Sequence, residues 1–286
     1  GTTVFKTASL NRSDISPVCR ERLYPARGPL STSAPRCIRW PMERQSYTLA
    51  ERPDLIDEQH RLMRAEWPPF VIEGEGGSGW NELFERFREF QFVILDDQEI
   101  AGVGNTIPLS LDGVIDELPP EGWDWALQKG HSDKVEGRSP DALCGLSATV
   151  MTGHRGRGLS CEILEQMKRL ARAEGLRHLV VPVRPTRKRD FPLIPMADYA
   201  QWRRSDGEVF DPWLRVHLRV GGRIVRVASR SMIIGGSLQE WSRWTGLDFP
   251  GSGEYVIPDA LAPLTVDVEQ GHAVYVEPNL WVVHEL

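Results

Sequence analysis

A short segment rich in glycine and arginine offers the clearest chemistry in this chain. Residues 153–160 place Arg155 and Arg157 beside Gly156 and Gly158. Where such a segment opens a helix, the first backbone N–H groups lack intrahelical partners and the helix dipole adds positive charge. Two guanidinium groups beside these donors make an anion site, and the sequence predicts that the anion is a phosphate.

The flanking residues predict a strand that leads into the segment and a helix that leaves it. Residues 143–150 have the apolar character of a buried strand. The helix is predicted to run as far as Glu174, and its apolar face is formed by Leu159, Ile163, Leu164, Met167, Leu170 and Ala171. We therefore expect a strand, a glycine-rich turn and a helix in direct succession.

Two common phosphate-binding loops fit the segment poorly. A nucleotide-triphosphate loop requires a lysine after its second glycine, and Leu159 stands where that lysine belongs. A dinucleotide-binding fingerprint requires a third glycine, and Cys161 occupies that position. An ordinary strand-to-helix turn with solvated arginines is the alternative that stays open.

The segment resembles the pyrophosphate-binding loop of the GCN5-related N-acetyltransferases, whose pattern is Arg or Gln, two residues, Gly, one residue, then Gly or Ala. Arg155, Gly158 and Ser160 fill this pattern, with serine in the last place, and Thr152 replaces the proline that usually ends the preceding strand. The resemblance implies that acetyl-coenzyme A or another acyl-coenzyme A is the cosubstrate. The residues expected to bind it are Val150, Met151, Thr152, Arg155, Gly156, Arg157, Gly158, Leu159 and Ser160.

The order of predicted elements agrees with the fold that this resemblance implies. Before the loop we expect a strand, two helices and a hairpin, at residues 46–49, 53–67, 80–90 and 91–109. After the central helix comes a buried strand, 179–183, which in the family diverges from the strand before the loop and so admits the pantetheine arm. The implied fold class is α/β (α+β), a GNAT-type fold with a central mixed, mostly antiparallel, twisted sheet flanked by helices on both faces.

A possible proton donor lies on a later helix. Asp211 and Pro212 open this helix, which is predicted to end at Gly221, and His217 lies four residues before that glycine. The family usually has a tyrosine there that protonates the departing thiolate, so the resemblance implies a catalytic role for His217. A partly exposed structural histidine is the alternative. For the base, the strand before the loop has no Asp or Glu, so we expect a water chain to Asp141 or a carboxylate elsewhere.

Three further groups have both a structural and a functional interpretation. The basic run 184–189 is interpreted first as solvated charge and second as a contact with the 3′-phosphate of coenzyme A. Trp123 and Trp125 lie in an insertion, residues 111–141, where we favour packing of a long loop on its own domain over a wall for an acceptor pocket. Near the C-terminus we favour core positions for Trp241, Trp244 and Trp281.

Composition limits the class of protein. The chain of 286 residues is 41% hydrophobic and 26% charged, as in ordinary globular proteins, and its net charge of -6 argues against nucleic acid as a general partner. No apolar run approaches the length of a membrane span and no signal segment is recognised, so we expect no membrane partner and a cytoplasmic location. The four cysteines have no metal-binding spacing, so neither a metal site nor a disulfide framework is expected.

Residues 1–41 differ from the rest of the chain. They are rich in Ser, Thr, Pro and Arg and lack hydrophobic periodicity, which predicts a flexible N-terminal extension. Residues 42–286 form the predicted acyltransferase domain, with the insertion at 111–141 and an extended C-terminal part whose strands could build a homodimer interface.

The predicted function is acyl transfer, specifically N-acetylation, by direct attack of an amine on an acyl-coenzyme A thioester. The acceptor is expected to be an amine on a small molecule or peptide, and the acidic net charge favours a cationic one. Two alternatives stay open. One is acyl transfer or decarboxylation linked to a carrier protein, and the other is a non-catalytic acyl-coenzyme A sensor or interaction module.

Overall fold

The computed structural model describes residues 44–74, 79–111, 113 and 115–286. The predicted extension, 1–41, lies outside these residues. The strands are β1 (Gln45–Thr48), β2 (Gln91–Asp96), β3 (Glu99–Leu109), β4 (Ala142–Val150), β5 (His178–Val183), β6 (Arg223–Ser237), β7 (Gly253–Tyr255), β8 (Leu264–Asp267) and β9 (His272–Glu285). The α-helices are α1 (Ile56–Glu66), α2 (Pro69–Glu73), α3 (Leu83–Arg86), α4 (Gly122–Glu136), α5 (Leu159–Ala173), α6 (Met196–Tyr199), α7 (Pro212–Arg219) and α8 (Leu238–Thr245).

The strands of the described residues form one mixed sheet. Its order is β1-β2-β3-β4-β5-β9-β8-β7, and β6 pairs with the other edge of β9. Strands β4 and β5 run parallel, and the other pairs in the described part of the chain are antiparallel. The predicted fold class, with a mixed and mostly antiparallel sheet, is therefore confirmed.

Helices cover both faces of the sheet. A Cβ atom added at Gly102 of β3 would lie 3.2 Å from Ile163 of α5. One added at Gly130 of α4 would lie 2.5 Å from Ile107 of β3. Since side chains alternate along a strand, positions 102 and 107 face opposite sides, and α4 and α5 pack on opposite faces.

Two predictions about the N-terminal half are wrong in part. The helix expected at residues 80–90 is only one turn, α3, because Phe87 leaves the helical region at φ -139° and a 3₁₀ turn leads into β2. The insertion 111–141 is not a loop throughout, since α4 fills about half of it. Its inward side carries Asp133, which is buried and accepts a hydrogen bond from the N–H of Ser110. A buried aspartate interrupts the apolar periodicity by which an amphipathic helix is recognised in a sequence.

The final strand contains a proline, Pro278, at which the sequence predicts an interruption, and the structure shows none. Strand β9 continues through Pro278, because the irregularity lies in its partner: Ala228 of β6 faces Asn279 and Met232 faces Glu277. The intervening residues of β6 bulge opposite a proline that has no N–H to donate.

The C-terminal elements build a second, smaller core with α2. It includes Phe70, Trp241, Trp244 and Tyr275. The predicted core positions are confirmed, since Trp241, Trp244 and Trp281 are all buried. Judged by length and polarity, the helices in the described ranges are all unsuited to crossing a membrane.

Candidate functional site

Divergence of β4 and β5 creates the site. The two strands pair over their first three residues only, the last pair being Cys144 and Val180. At the same point β4 has a β-bulge in its pairing with β3. Asn105 of β3 faces Ser147 while Thr106 faces Gly145, which leaves Leu146 as an extra residue. A cavity of about 1160 Å³ occupies the gap and is lined along β4 from Gly145 to Val150. The predicted divergence of these strands is therefore present.

The glycine-rich segment forms a turn at one end of this cavity. Gly156 and Gly158 have φ of 78° and 82°, the left-handed region that side chains with a Cβ rarely occupy. The first bonds of α5 run from the N–H groups of Cys161 and Glu162 to the carbonyl of Gly158, at 3.0 and 3.3 Å. The preceding N–H groups therefore point out of the helix end, which is the arrangement predicted for an anion site.

The two arginines of the turn are exposed and held by carboxylates. Arg155 Nη2 lies 2.5 Å from Glu66 Oε2 of α1, and Glu66 Oε1 also accepts hydrogen bonds from the N–H and hydroxyl of Thr152, each at 2.8 Å. Arg157 Nη1 lies 3.4 Å from the buried carboxylate of Asp96. Asp96 sits at the hairpin turn, where His154 Nδ1 also approaches it at 3.3 Å. These pairs fix the turn while leaving both guanidinium groups accessible from solvent.

The nine residues expected to bind the cosubstrate take different positions. Val150, Arg155 and Ser160 line the cavity. Thr152, Gly156, Arg157 and Gly158 are exposed on the turn. Met151 and Leu159 have buried side chains, and the N–H of Met151 is bonded to the carbonyl of Ala101 at 3.0 Å, so it is not free for a ligand.

Aromatic and acidic side chains line the other end of the cavity. Trp80 and Trp123 stack with ring centroids 5.7 Å apart and planes at 30°, and both line the cavity together with Asp124. The loop interpretation had favoured simple packing for both Trp123 and Trp125. Trp125 packs within the domain as expected, since its ring contacts Trp281. Trp123 instead lines the cavity.

Asp124 lies in the first turn of α4 against β6. Its Oδ2 accepts a hydrogen bond from the N–H of Ile233 at 3.0 Å. Burial raises the pKa of this carboxyl from 3.8 to about 6; the Ile233 bond lowers it, and the charge of Glu277 adds to the rise. Sequence reasoning missed Asp124, and its one local signal is its place directly after Trp123.

The basic run after β5 is solvated only in part, which corrects the favoured interpretation for Arg184 and Lys188, whereas Arg187 and Arg189 are exposed. Arg184 Nε lies 3.0 Å from both carboxylate oxygens of the fully buried Glu277. Lys188 is also buried, and its Nζ donates to the carbonyls of Phe191 and Leu261 at 2.9 and 2.5 Å. Burial lowers the pKa of Lys188 to about 8. These two cations hold the segment to the C-terminal part of the sheet.

His217 does not have the surroundings expected of a proton donor. It is fully buried beneath Trp213, its Nδ1 lies 3.0 Å from His284 Nε2, and it is not among the residues that line the cavity. Burial, then the charges of His284 and Lys168, lower its pKa well below the ordinary value. A neutral imidazole has no second proton to give near neutral pH, so the geometry favours a structural role.

The expected water chain to Asp141 also lacks support. Asp141 accepts hydrogen bonds from the N–H of Leu111 at 2.7 Å and from Arg177 at 2.9 Å, and it lies outside the cavity lining. His60 of α1 does line the cavity, with its ring 4.3 Å from that of Phe84. Its buried Nε2 has no hydrogen-bond partner within the described part of the chain, and burial lowers the pKa of its imidazole. Nothing in the sequence around His60 marks it as a candidate.

Comparison with known proteins gives one similar sequence and several similar folds. The chain is 35% identical over 272 residues to the arginine N-acetyltransferase avaD of Aspergillus versicolor. The alignment covers 84% of this chain and 93% of that protein. The loading GNATL domain of CurA from Lyngbya majuscula has a TM-score of 0.50 at 15% identity, covering 85% of this chain and 96% of that one. The GphF GNAT-like decarboxylase in complex with isobutyryl-CoA has a TM-score of 0.49 at 19% identity, covering 85% and 98%. Models of known protein families give no match.

Proposed function

This chain belongs to the GCN5-related N-acetyltransferase family, and on that premise we propose that its acceptor is a small amine carrying a guanidinium group, with arginine as the leading example. The protein transfers an acyl group from an acyl-coenzyme A to an amine. One observation carries the choice of acceptor: a single cavity joins the basic turn at Arg155 to a wall formed by Trp80, Trp123 and Asp124. The similar arginine N-acetyltransferase supports the same class.

The donor end fits the phosphates and pantetheine arm of an acyl-coenzyme A. The turn offers the N-terminal N–H groups of α5 and the exposed guanidinium groups of Arg155 and Arg157, and the diverging edge of β4 offers backbone groups along the cavity. Charge-assisted hydrogen bonds of this kind contribute about 1.5 to 3 kcal/mol each. We propose the acetyl thioester as the donor, since the similar protein is an acetyltransferase.

The reaction joins the acceptor nitrogen to the carbonyl carbon of the thioester and breaks the carbon–sulfur bond, so coenzyme A leaves as a thiolate that takes up a proton from water. The chain must then remove a proton from the nitrogen and place the amine beside β4. For the proton we propose Nε2 of His60, because His60 lines the cavity, this nitrogen has no hydrogen-bond partner in the described part of the chain, and burial favours the neutral imidazole by lowering its pKa. Replacement by glutamine should lower kcat at least about tenfold while the affinity for acetyl-coenzyme A is kept. An unchanged kcat would remove His60 from this role.

Calorimetric titration of acetyl-coenzyme A tests the donor end. Wild-type protein should bind, and an Arg155→Glu, Arg157→Glu double variant should lose at least about tenfold in affinity. The matched control is Arg169→Glu, Arg172→Glu, which makes the same charge change on exposed positions at the far end of α5. Equal losses in the two double variants would show a general charge effect and contradict a site at the turn.

A thiol-release assay then tests the acceptor class, with arginine, agmatine and ornithine compared at equal concentration. Faster release with the two guanidinium compounds supports the proposal, and a preference for ornithine contradicts it. Donor binding without release by any amine would favour the sensor interpretation, and release only with an acyl carrier protein would favour the carrier-linked alternative. The cytoplasmic location and a homodimer remain predictions of the sequence.

A further inference from the structure

The acceptor end of the cavity contains one carboxylate, Asp124, that differs from the other carboxylates of the cavity lining in its charged partners. Four carboxylates of the described residues line the cavity: Glu66, Glu82, Asp124 and Asp259. Three of them have an arginine partner, since Glu66 pairs with Arg155, Glu82 with Arg86 and Asp259 with Arg189. Asp124 has no basic partner in the described part of the chain.

The contacts of Asp124 leave one oxygen available. Its Oδ2 is held by the N–H of Ile233, whereas Oδ1 has no hydrogen-bond partner among the described residues. The nearby buried Glu277 is different, because Arg184, the hydroxyl of Tyr275 and the amide of Asn279 all donate to it. Asp124 is therefore the carboxylate whose charge is left for a ligand to balance.

The aromatic pair beside Asp124 favours a flat cation. Trp80 and Trp123 are both partly exposed and stacked at 30°, so they offer an indole surface to the cavity. A guanidinium group is planar, is weakly hydrated and stacks on aromatic faces while its edge donates to a carboxylate. An ammonium group would use the charge of Asp124 but would gain less from the flat surface.

Trp123 is also hydrogen-bonded to β4, the strand beside which the thioester is expected to lie. Trp123 Nε1 donates to the carbonyl of Leu146 at 2.8 Å, and Leu146 is the bulged residue where β4 leaves β5. The backbone N–H of Trp123 is in turn held by the hydroxyl of Ser231 at 2.9 Å. A cation bound at this wall is consequently held at a fixed position relative to the edge of β4.

We propose that Trp80, Trp123 and Asp124 form the subsite that binds the guanidinium end of the acceptor, an inference that rests on the acceptor class proposed above. Asp124 accepts from the guanidinium edge, and the indoles cover one face. These residues position the substrate and take no part in the proton transfer.

Binding of arginine and citrulline to the protein saturated with coenzyme A tests this subsite. Coenzyme A carries no acyl group, so no reaction occurs, and citrulline has the same planar shape without the positive charge. Calorimetry on the wild-type full chain should give arginine an affinity at least about tenfold higher than that of citrulline. In Asp124→Asn the ratio should fall to about threefold or less, with coenzyme A affinity unchanged. In Trp80→Leu both ligands should bind several-fold more weakly.

The matched control is Glu121→Gln, which removes a carboxylate just before α4 that does not line the cavity. It should leave the arginine-to-citrulline ratio unchanged. An Asp124→Asn ratio equal to that of wild type, or a wild-type protein that does not distinguish the two ligands, overturns the subsite. Thiol release with an amine would still uphold the acyltransferase activity in that event, so the two failures are distinguishable. Coenzyme A binding by each variant shows that it is folded.

Discussion

The donor end of the cavity is built mainly from the backbone of one short segment, whereas the acceptor end is built from side chains of separate elements. At the donor end, residues 156–160 supply consecutive N–H groups that lead into the start of α5, and Gly156 and Gly158 set the path of the chain. At the acceptor end, Trp80 precedes α3, Asp124 belongs to α4, and the supporting contacts come from β6 and β4.

This difference predicts two kinds of sensitivity. A site made of backbone groups depends on dihedral angles, so one unsuitable residue should abolish binding whatever its charge. A site made of side chains depends on charge and shape, so its residues can change the choice of ligand while the fold and the donor affinity stay the same. The predictions below separate these two behaviours, starting from the largest effect.

Gly158→Val should nearly abolish binding of acetyl-coenzyme A. Valine is strongly disfavoured at the φ of 82° that Gly158 adopts, so the turn must change its path and several N–H groups lose their alignment. We expect a loss of affinity of about 100-fold or more by calorimetry. Gly251→Ala is the control, since a Cβ there meets open space and its φ is not in the left-handed region. Binding by Gly158→Val within about threefold of wild type would contradict a backbone-built site.

Arginine affinity should depend on pH through Asp124. The carboxyl must be ionised to bind a guanidinium group, and its pKa is about 6 because of burial, with the N–H of Ile233 lowering it and Glu277 on β9 raising it. The affinity of arginine for the complex of protein and coenzyme A should be constant above about pH 7 and should fall up to about tenfold for each pH unit below 6. Citrulline binding should show no such slope, and Asp124→Asn should remove it for arginine. A slope that persists in Asp124→Asn would assign the titration to another group.

Glu66→Gln should strengthen binding of acetyl-coenzyme A by about two- to fivefold. In the structure the Glu66 carboxylate accepts from Thr152 and Arg155, so it competes with phosphate for donors at the turn. Glutamine keeps an acceptor for Thr152 but removes the negative charge. The control is Glu162→Gln, which removes the carboxylate paired with Arg44 near the same turn. Weaker binding by Glu66→Gln would show instead that the ion pair orders the turn for the ligand.

The same contrast explains which parts of the site could be predicted from the sequence. The turn is a local feature: strand, glycines, arginines and helix are consecutive, so the bounds of β4 and α5 could be placed within a residue or two. The early divergence of β4 and β5 was expected from the family resemblance rather than from any residue pattern.

The acceptor end could not be predicted in that way, because its residues meet only after folding. Asp124 gains its raised pKa from burial under β6, more than one hundred residues later in the chain, and no local pattern encodes that contact. The surroundings of His217 could not be predicted for a related reason. Its spacing from Gly221 matches the family, but its partner His284 comes from the end of β9 and holds it within the core. Arg184 likewise looks solvated until Glu277 is placed beside it.

One further expected effect is on stability, and the substitution should be stabilising. Asp124→Asn should raise the free energy of unfolding at pH 8. Because the pKa of Asp124 is raised from 3.8 in the unfolded chain to about 6, the folded state favours the protonated form. The neutral form's contribution to stability is fully present below about pH 3.8 and is lost as the pH rises through about 6. Above that pH the ionised carboxylate costs at most about 3 kcal/mol, and solvent in the cavity reduces this to about 1 kcal/mol.

Asparagine avoids this cost and can still accept the hydrogen bond of the Ile233 N–H through its amide oxygen. Denaturant titration at pH 8 should therefore show a gain of about 1 kcal/mol for Asp124→Asn, and the gain should be smaller at pH 5. Glu121→Gln, which changes a carboxylate outside the cavity lining, should show no gain at either pH. A carboxylate that lowers the stability of the free protein but raises the affinity for arginine shows the trade-off between stability and function that is expected of a binding residue. If Asp124→Asn is instead less stable at pH 8, the charge-assisted bond to Ile233 outweighs desolvation, and Asp124 is held in place for structural reasons.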